Sequence, residues 1–270
     1  MITGRTKVFT ILAHPSTHVM APLIYNHIFT AMGLDMSYIS HDVLPEAIPE
    51  TIKSFPGWCN LGGFNVTIPH KEAVAALVDT RCEVSTRTCV VNTVVRHDDG
   101  QLSGHNTDGL GAAKALGRVQ GVACLIIGAG GAARAIVDAL LHEGVKSVLI
   151  LNRSREGALR LLSLFPGSPV GIYNGEPLKD IEVVVQATPV ADKIPFGLDP
   201  AGFTRGTRIL ETVMRPTALS EAAVHHGLDL ISGQAMLYHQ TSRNFELFTG
   251  IELPKDRLDD AFASLGYHLP

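Results

Sequence analysis

Cysteine is scarce in this chain of 270 residues: four copies, Cys59, Cys82, Cys89 and Cys124, form no CxxC or zinc-finger spacing. That argues against a disulfide framework and a structural zinc site, and Cys124, inside an apolar run, reads as a core thiol. The twelve histidines contain no HExxH pair. Adjacent His225 and His226 point about 100° apart on a helix, poor geometry for one ion, so no metal is expected. No apolar run approaches the roughly 18 residues of a spanning helix, because Val122 to Ile127 is closed by Gly128. Met1 to Arg5 is short and polar, with no secretory apolar stretch behind it. There is no excess of positive charge either: 22 basic against 26 acidic side chains leave a net −4. This argues against nucleic acid or an acidic membrane as the main partner. The expectation is a soluble, cytoplasmic protein with a small-molecule substrate, as a monomer or homodimer.

What the chain does have is length and alternation. At 46% hydrophobic and 18% charged, it is ordinary for a globular protein, and it exceeds the usual domain size of about 100–200 residues. Val8 to Leu12, Met36 to Ile39 and Gly63 to Ile68 read as strands, with helices opened by Pro22 and Pro69. Val90 to Val95 and Gln101 to His105 flank Asp98-Asp99-Gly100, a hairpin signal. From Val122 the pattern alternates strictly. Strands at Val122–Ile127, Ser147–Leu151, near Val170, and at Val183–Gln186, Arg208–Leu210 and Asp229–Ile231 are interleaved with helices, the signature of a parallel, doubly wound sheet. The expected class is α/β in two domains. A mixed α/β substrate domain spans 1–105, a Rossmann domain spans 106–235, and helices in 236–270 return to the first, with a cleft between the two.

The segment Gly128-Ala129-Gly130-Gly131-Ala132 closes a strand and opens a helix. Gly128 permits a tight turn, Gly130 lets backbone approach a pyrophosphate, and the small residues that follow let the helix sit close to the sheet. Free N–H groups at the helix start would meet the phosphates. The next strand ends in Asn152-Arg153-Ser154-Arg155, where an NAD site would place Asp or Glu for the ribose hydroxyls. Guanidinium groups there pair with a 2′-phosphate, so NADP is favoured over NAD. The alternative is that both arginines are solvated cations, although cations oppose the dipole of a helix start.

Two further segments carry chemistry. In Asn65-Val66-Thr67-Ile68-Pro69-His70-Lys71, the lysine falls in the first turn of a helix, an unfavourable place that local stability does not explain. It suits a proton-exchanging amine; the plainer alternative is a surface lysine paired with Glu72. In Gly104-His105-Asn106-Thr107-Asp108-Gly109, Thr107 or Asp108 is either an N-cap or, at Asp108, a carboxylate that partners Lys71.

NVTIPHKEAV at 65–74, VVNT at 90–93, GHNTDG at 104–109, GAGGAARA at 128–135, NRS at 152–154 and GQAMLYHQ at 233–240 together resemble the shikimate/quinate dehydrogenase family, in order and spacing. The resemblance implies a two-domain enzyme that interconverts shikimate and 3-dehydroshikimate with a nicotinamide cofactor. It implies Lys71 and Asp108 as the catalytic pair. Thr67, Asn92 and Gln240 fall on positions that bind ring hydroxyls. Thr188 falls in a loop that touches the cofactor, and Gly233 and Met236 fall beside the nicotinamide.

The pattern breaks at two places. A Ser-x-Ser pair that holds the substrate carboxylate in the family falls on Val19 and Ala21, neither of which hydrogen-bonds. The family's Asp-x-x-Tyr-x-Pro reads Glu211-Thr212-Val213-Met214-Arg215-Pro216. Three explanations compete: a substrate lacking the carboxylate, a carboxylate held instead by His14, His18, Thr17 or Arg215, or a weak paralogue whose role lies elsewhere. The alternative from a different class is a non-catalytic NADP-binding sensor, against which the retention of both Lys71 and Asp108 argues.

Overall fold

The computed structural model describes residues 2–267. They divide into two units, one made of the residues up to Thr107 together with those from Thr241 onward, the other Asp108–Gln240.

In the first unit, the apolar runs form strands β1 (Lys7–Ala13), β2 (Met36–Asp42) and β3 (Leu61–Val66), all parallel. Helix α1 (Ala21–Ala31) carries proline in its first turn, as expected of a helix start. α2 (Ile48–Ser54), α3 (Lys71–Ala75), the two-residue β4 (Thr80–Arg81) and α4 (Glu83–Thr88) are short. α3 begins two residues after Pro69, which precedes the helix rather than opening it, and Lys71 is its first residue. The hairpin expected around Asp98-Asp99-Gly100 joins β5 (Thr93–Arg96) to β6 (Leu102–His105), with Gly100 at φ +89°. The sheet order is β2-β1-β3-β5-β6-β4.

All six residues of β3 are buried, and its two glycines explain how. A Cβ on Gly62 would lie 2.5 Å from the Phe9 ring, and one on Gly63 would lie 2.6 Å from the Val94 carbonyl oxygen and 2.9 Å from Phe248. Bare backbone here lets aromatic rings lie directly on the sheet. Phe9 meets Phe248 at 5.0 Å between centroids, Phe55 meets Phe64 edge-on at 4.9 Å, and Tyr25 stacks on Tyr38 at 4.6 Å. Pairs of this kind add about 0.5–1.5 kcal/mol each beyond their buried area.

The second unit opens with α5 (Asp108–Leu116) and continues as β7 (Ala123–Ile127), α6 (Gly131–His142), β8 (Ser147–Leu151), α7 (Arg155–Leu162), β9 (Val170–Ile172), β10 (Val183–Gln186), β11 (Arg208–Glu211), α8 (Ala218–His225) and β12 (Asp229–Ile231). Every strand pair is parallel, in the order β12-β11-β10-β7-β8-β9. Counted from β7 this is the 3-2-1-4-5-6 order of the Rossmann fold, whose chain reverses between β7 and β10. β7 and β10 are wholly buried, as central parallel strands require. Cys124 lies in that core, its thiol pushed up to about 12 by burial. Helix α9 (Gly233–Thr249) ends the second unit and continues into the first, where α10 (Lys255–Ala263) follows. Among the described residues no helix is long and apolar enough to cross a membrane.

Glycine also sets the packing of α5. A Cβ on Gly109 would overlap the Ala135 carbonyl oxygen of α6, and one on Gly111 would lie 2.6 Å from Gln240 Cγ and 2.8 Å from the Met236 carbonyl oxygen of α9. Helical glycine is unfavourable by about 1 kcal/mol relative to alanine, so close approach is what these positions gain. Gly109→Ala should therefore lower stability by about 1–3 kcal/mol through overpacking, read as a fall in the urea midpoint at unchanged m-value. A raised midpoint would mean that helix propensity outweighs contact.

Candidate active site

In the first unit, β1, β2 and β3 run parallel, so the loops that follow them leave from one edge, the edge at which open α/β sheets bind ligands. The Thr67 N–H donates to the Leu12 carbonyl at 3.0 Å, and the His14 N–H donates to that of Ile68 at 3.3 Å. Thr67 and Lys71 are half-buried. The Lys71 carbonyl accepts from the Val91 N–H at 3.1 Å, which brings the 67–71 turn against the segment carrying Asn92.

Asn92 is the centre of a buried polar network. Its Oδ1 accepts from the Thr107 N–H at 2.9 Å, while its Nδ2 donates to Thr107 Oγ1 at 3.0 Å. Asn244 Oδ1, from α9, accepts from the Thr93 hydroxyl at 2.8 Å and from the Thr107 hydroxyl at 2.9 Å. Asn65 Nδ2 donates to Thr93 Oγ1 at 3.0 Å, and the Tyr38 hydroxyl donates to Asn65 Oδ1 at 2.6 Å. Tyr38, Asn65, Asn92, Thr93, Thr107 and Asn244 are all buried. Thr107, one of two candidate caps for α5, is thus a node of this network.

His14 and His18 part company in the structure. The His14 ring donates from Nδ1 to Asp42 Oδ1 at 2.8 Å, and Asp42 Oδ2 accepts from the Ser16 N–H at 2.8 Å. These bonds, His14 first, hold the Asp42 carboxyl down at about 2. His18 and Thr17 are exposed in a turn closed by the Val19 N–H on the Ser16 carbonyl at 3.2 Å. His70, beside Lys71, is 1% exposed, and burial lowers its pKa.

The second unit builds the dinucleotide loop as its sequence implies. Gly128 has φ +110°, and a Cβ there would lie 2.8 Å from Thr188 Cγ2, so the glycine lets the two loops close on each other. Gly130 precedes α6 without a side-chain cap, and Gly131 opens it. A Cβ on Gly130 would meet nothing within 4 Å. Protein packing therefore does not demand that glycine, and the space it leaves fits a phosphate over a positive helix end. Ala129 and Ala132 are half-buried beside it. At the end of β8, Arg153 and Arg155 are exposed. The next acid along the chain, Glu156, is held by Arg160 at 2.6 Å. Asn152 Nδ2 donates to the Ser154 carbonyl at 3.0 Å, and the Ser154 hydroxyl caps α7 by accepting from the Gly157 N–H at 3.1 Å. The donor set suits a phosphate-bearing dinucleotide.

Thr188 is held by Gln186, whose Oε1 accepts from its hydroxyl at 3.1 Å and whose Nε2 donates to the Val190 carbonyl at 3.1 Å. Gly233 starts α9 against the end of β11: a Cβ there would lie 2.9 Å from the carbonyl oxygens of Glu211 and Thr212. Met236 is buried one turn on. Asp108, 3% exposed at the start of α5, accepts from Gln240 Nε2 at 2.7 Å. Lys71 belongs to the first unit and Asp108 to the second.

Reading the sequence missed several polar groups that shape these loops. Asn65, Gln186, Glu211 and Asp42 share one signal, a polar residue at or near the C-terminal end of a parallel strand. Glu211 is 2% exposed, and burial raises its pKa; its oxygens accept from the Thr217 hydroxyl at 2.6 Å and the Val213 N–H at 2.9 Å.

A buried polar network at one strand edge, and a Rossmann sheet with an open glycine cradle and two exposed arginines beside it, define a two-unit α/β protein of the nucleotide-dependent dehydrogenase class. The family model described as shikimate dehydrogenase substrate binding domain matches residues 11–94, and that described as shikimate / quinate 5-dehydrogenase matches 111–194. The chain belongs to the shikimate dehydrogenase family. It is 34% identical to the NADP(+) shikimate dehydrogenase of Methanothermobacter thermautotrophicus, covering 97% of each chain, and 35% identical to that of Rubrobacter xylanophilus, covering 93% of each. Among solved structures it resembles shikimate dehydrogenase from Aquifex aeolicus (TM-score 0.89, 28% identity, covering 97% of this chain and 99% of that one). It also resembles shikimate 5-dehydrogenase from Thermus thermophilus in complex with NADP(H) and shikimate (TM-score 0.85, 31% identity, covering 95% and 98%).

One thiol in the first unit has unusual surroundings. Burial pushes Cys82 up, but hydrogen bonds from His105, the Ser85 side chain and N–H, and the Asn106 N–H outweigh it and bring the thiol to about 6. The thiolate should thus predominate at neutral pH. Alkylation of Cys82 by iodoacetamide, followed by peptide mass spectrometry, should rise through a midpoint near pH 6; a midpoint near that of free cysteine, about 8.5, would contradict these contacts.

Proposed function

We propose that the protein is an NADP-dependent oxidoreductase of the shikimate dehydrogenase type, carrying out reversible hydride transfer between NADP(H) and a cyclic polyol or ketone such as shikimate and 3-dehydroshikimate. The first unit takes the substrate and the second the cofactor, in the cytoplasm, as a monomer or homodimer. Bound NADP+ supplies the hydride acceptor. Its phosphates would lie at Gly128 to Ala132 and its 2′-phosphate against Asn152, Arg153, Ser154 and Arg155, with Thr188, Gly233 and Met236 nearer the nicotinamide.

The observation that carries the reading is Asp108: a buried carboxylate with a dedicated donor in Gln240 at 2.7 Å, directly after the network-fixed Thr107. A carboxylate that merely capped α5 would not need that amide. Lys71 takes the hydroxyl proton as hydride leaves the same carbon, and returns it in the reverse direction, while Asp108 orients the lysine and accepts from the neighbouring hydroxyl. Thr67, Asn92 and Gln240 position the remaining hydroxyls. Because proton and hydride leave together, an unassisted hydroxyl would have to release its proton to water at a much higher barrier.

Lys71→Ala should lower kcat by about 10²–10⁴-fold, the usual range for a lost general acid or base, while NADP binding by titration calorimetry is kept. Unchanged turnover would remove Lys71 from the chemistry. Arg153→Asp should weaken NADP about tenfold or more, from loss of a charge-assisted bond and the added repulsion, and should leave NAD unaffected or improved. Equal NADP affinity in the variant would place the 2′-phosphate elsewhere.

A further inference from the structure

The segment between β1 and α1 leaves the strand edge beside Thr67 and Lys71, tied there by the His14 N–H on the Ile68 carbonyl. Whatever the substrate presents at that end must suit residues 14–21. An anionic group would need donors, and the two at the start of this segment are already committed. The His14 Nδ1–H and the Ser16 N–H both bond Asp42. Thr17 and His18 stand exposed at the corner of the 16–19 turn. The less exposed positions that follow are Val19, Met20 and the 8% exposed Ala21.

A helix start can bind an anion without side chains, but α1 is poorly equipped to do so. Pro22 has no N–H, the Leu23 and Ile24 N–H groups both bond the Met20 carbonyl at 3.1 and 3.2 Å, and α1 has no side-chain cap. The resident charge is also of the wrong sign. Asp42 is ionised at neutral pH and remains accessible, its side chain 45% exposed. An ionised carboxylate only accepts hydrogen bonds. It repels a second carboxylate and welcomes a hydroxyl.

Resting on the proposed function, we infer that within that class of cyclic polyols and ketones the preferred substrate of this enzyme is uncharged, in place of shikimate itself: it carries a hydroxyl, and no carboxylate, at the end that meets His14 to Ala21 and Asp42. Val19 and Ala21 pack on its carbon skeleton, and a hydroxyl donates to Asp42. The reacting end, at Lys71, is unchanged. A secondary alcohol is oxidised to the ketone, its hydride passing to NADP+ and its hydroxyl proton to Lys71.

The test is steady-state NADPH formation by the purified full chain with NADP+ and matched probes: shikimate, its methyl ester, and the carboxylate-free cyclic polyols conduritol and myo-inositol. At least one neutral probe should exceed shikimate in kcat/KM by tenfold or more. Asp42→Asn should narrow that gap at least threefold by raising kcat/KM for shikimate, and Val19→Ser with Ala21→Ser, which restores donors, should act in the same direction. Shikimate equal to or better than every neutral probe, or a gap that Asp42→Asn leaves unchanged, overturns the inference while leaving the proposed oxidoreductase standing. No turnover of any probe by a protein that still binds NADP+ overturns both.

Discussion

The first unit is organised around one buried set of hydrogen bonds, the amides of Asn65, Asn92 and Asn244 joined through the hydroxyls of Thr93 and Thr107. Buried amides and hydroxyls left without partners are unfavourable by about 1–3 kcal/mol each. The network is therefore stable only when all its members are in place, and its strength lies in that mutual dependence. Those members come from distant parts of the chain: β3, the start of β5, the residue where the chain leaves the unit, and α9 soon after it returns. Satisfying them fixes the β3–β5 register, the exit of the chain at Thr107 and the seat of α9. Asp108, the next residue along, inherits its starting position from Thr107.

A second constraint acts in the other unit and works by absence of atoms. Gly128, Gly109, Gly111 and Gly233 each stand where a methyl group would strike a neighbouring atom, so backbones approach there more closely than any other residue allows. Gln186 completes the arrangement by holding the loop of Thr188 against Gly128. Gly130 is the exception. It is free of contact, and so it is the glycine whose small size the fold itself does not explain. That contrast separates glycines needed for packing from one that leaves room for a ligand.

Much of the second unit was legible in the sequence, because buried parallel strands are continuous apolar runs. Val183–Gln186 and Ser147–Leu151 stand as strands with the bounds their composition implies, and so does the more exposed edge strand Asp229–Ile231. The glycine loop was legible for the same reason, sitting between a clear strand and a clear helix. α2, α4 and β4 were not. α2 buries only Ile48 and Ile52, α4 has no apolar stripe, and β4 is two residues long, so none has a period to detect. The network was equally hidden: Asn65 and Thr93 look like ordinary polar interruptions in strands, and nothing local announces that Asn244, about 150 residues after Thr93, supplies the acceptor. At the N-terminal segment, the loss of hydroxyls at Val19 and Ala21 was visible, whereas the engagement of His14 and Ser16 by Asp42 needed the parallel pairing of β1 with β2, which sets Ala13 opposite Asp42.

These two levels of legibility correspond to two kinds of demand. Hydride transfer at a secondary alcohol needs a proton acceptor, an orienting carboxylate and a phosphate cradle, and those needs are the same whatever the far end of the substrate carries. Lys71, Asp108 and the Gly128 loop, to which the proposed function assigns those tasks, sit in segments that keep the family's pattern. Recognition of the far end is a different demand, met by whatever the β1–α1 loop and the end of β2 present. Replacing two hydroxyls by apolar groups would leave a bound carboxylate without donors, and the ionised Asp42, bonded to His14 and Ser16 of the same segment, adds repulsion, so both features disfavour an anion at that end. On the proposed reading, Lys71 and the β1–α1 segment leave one strand edge on different loops, so recognition of the far end can change without touching the proton acceptor.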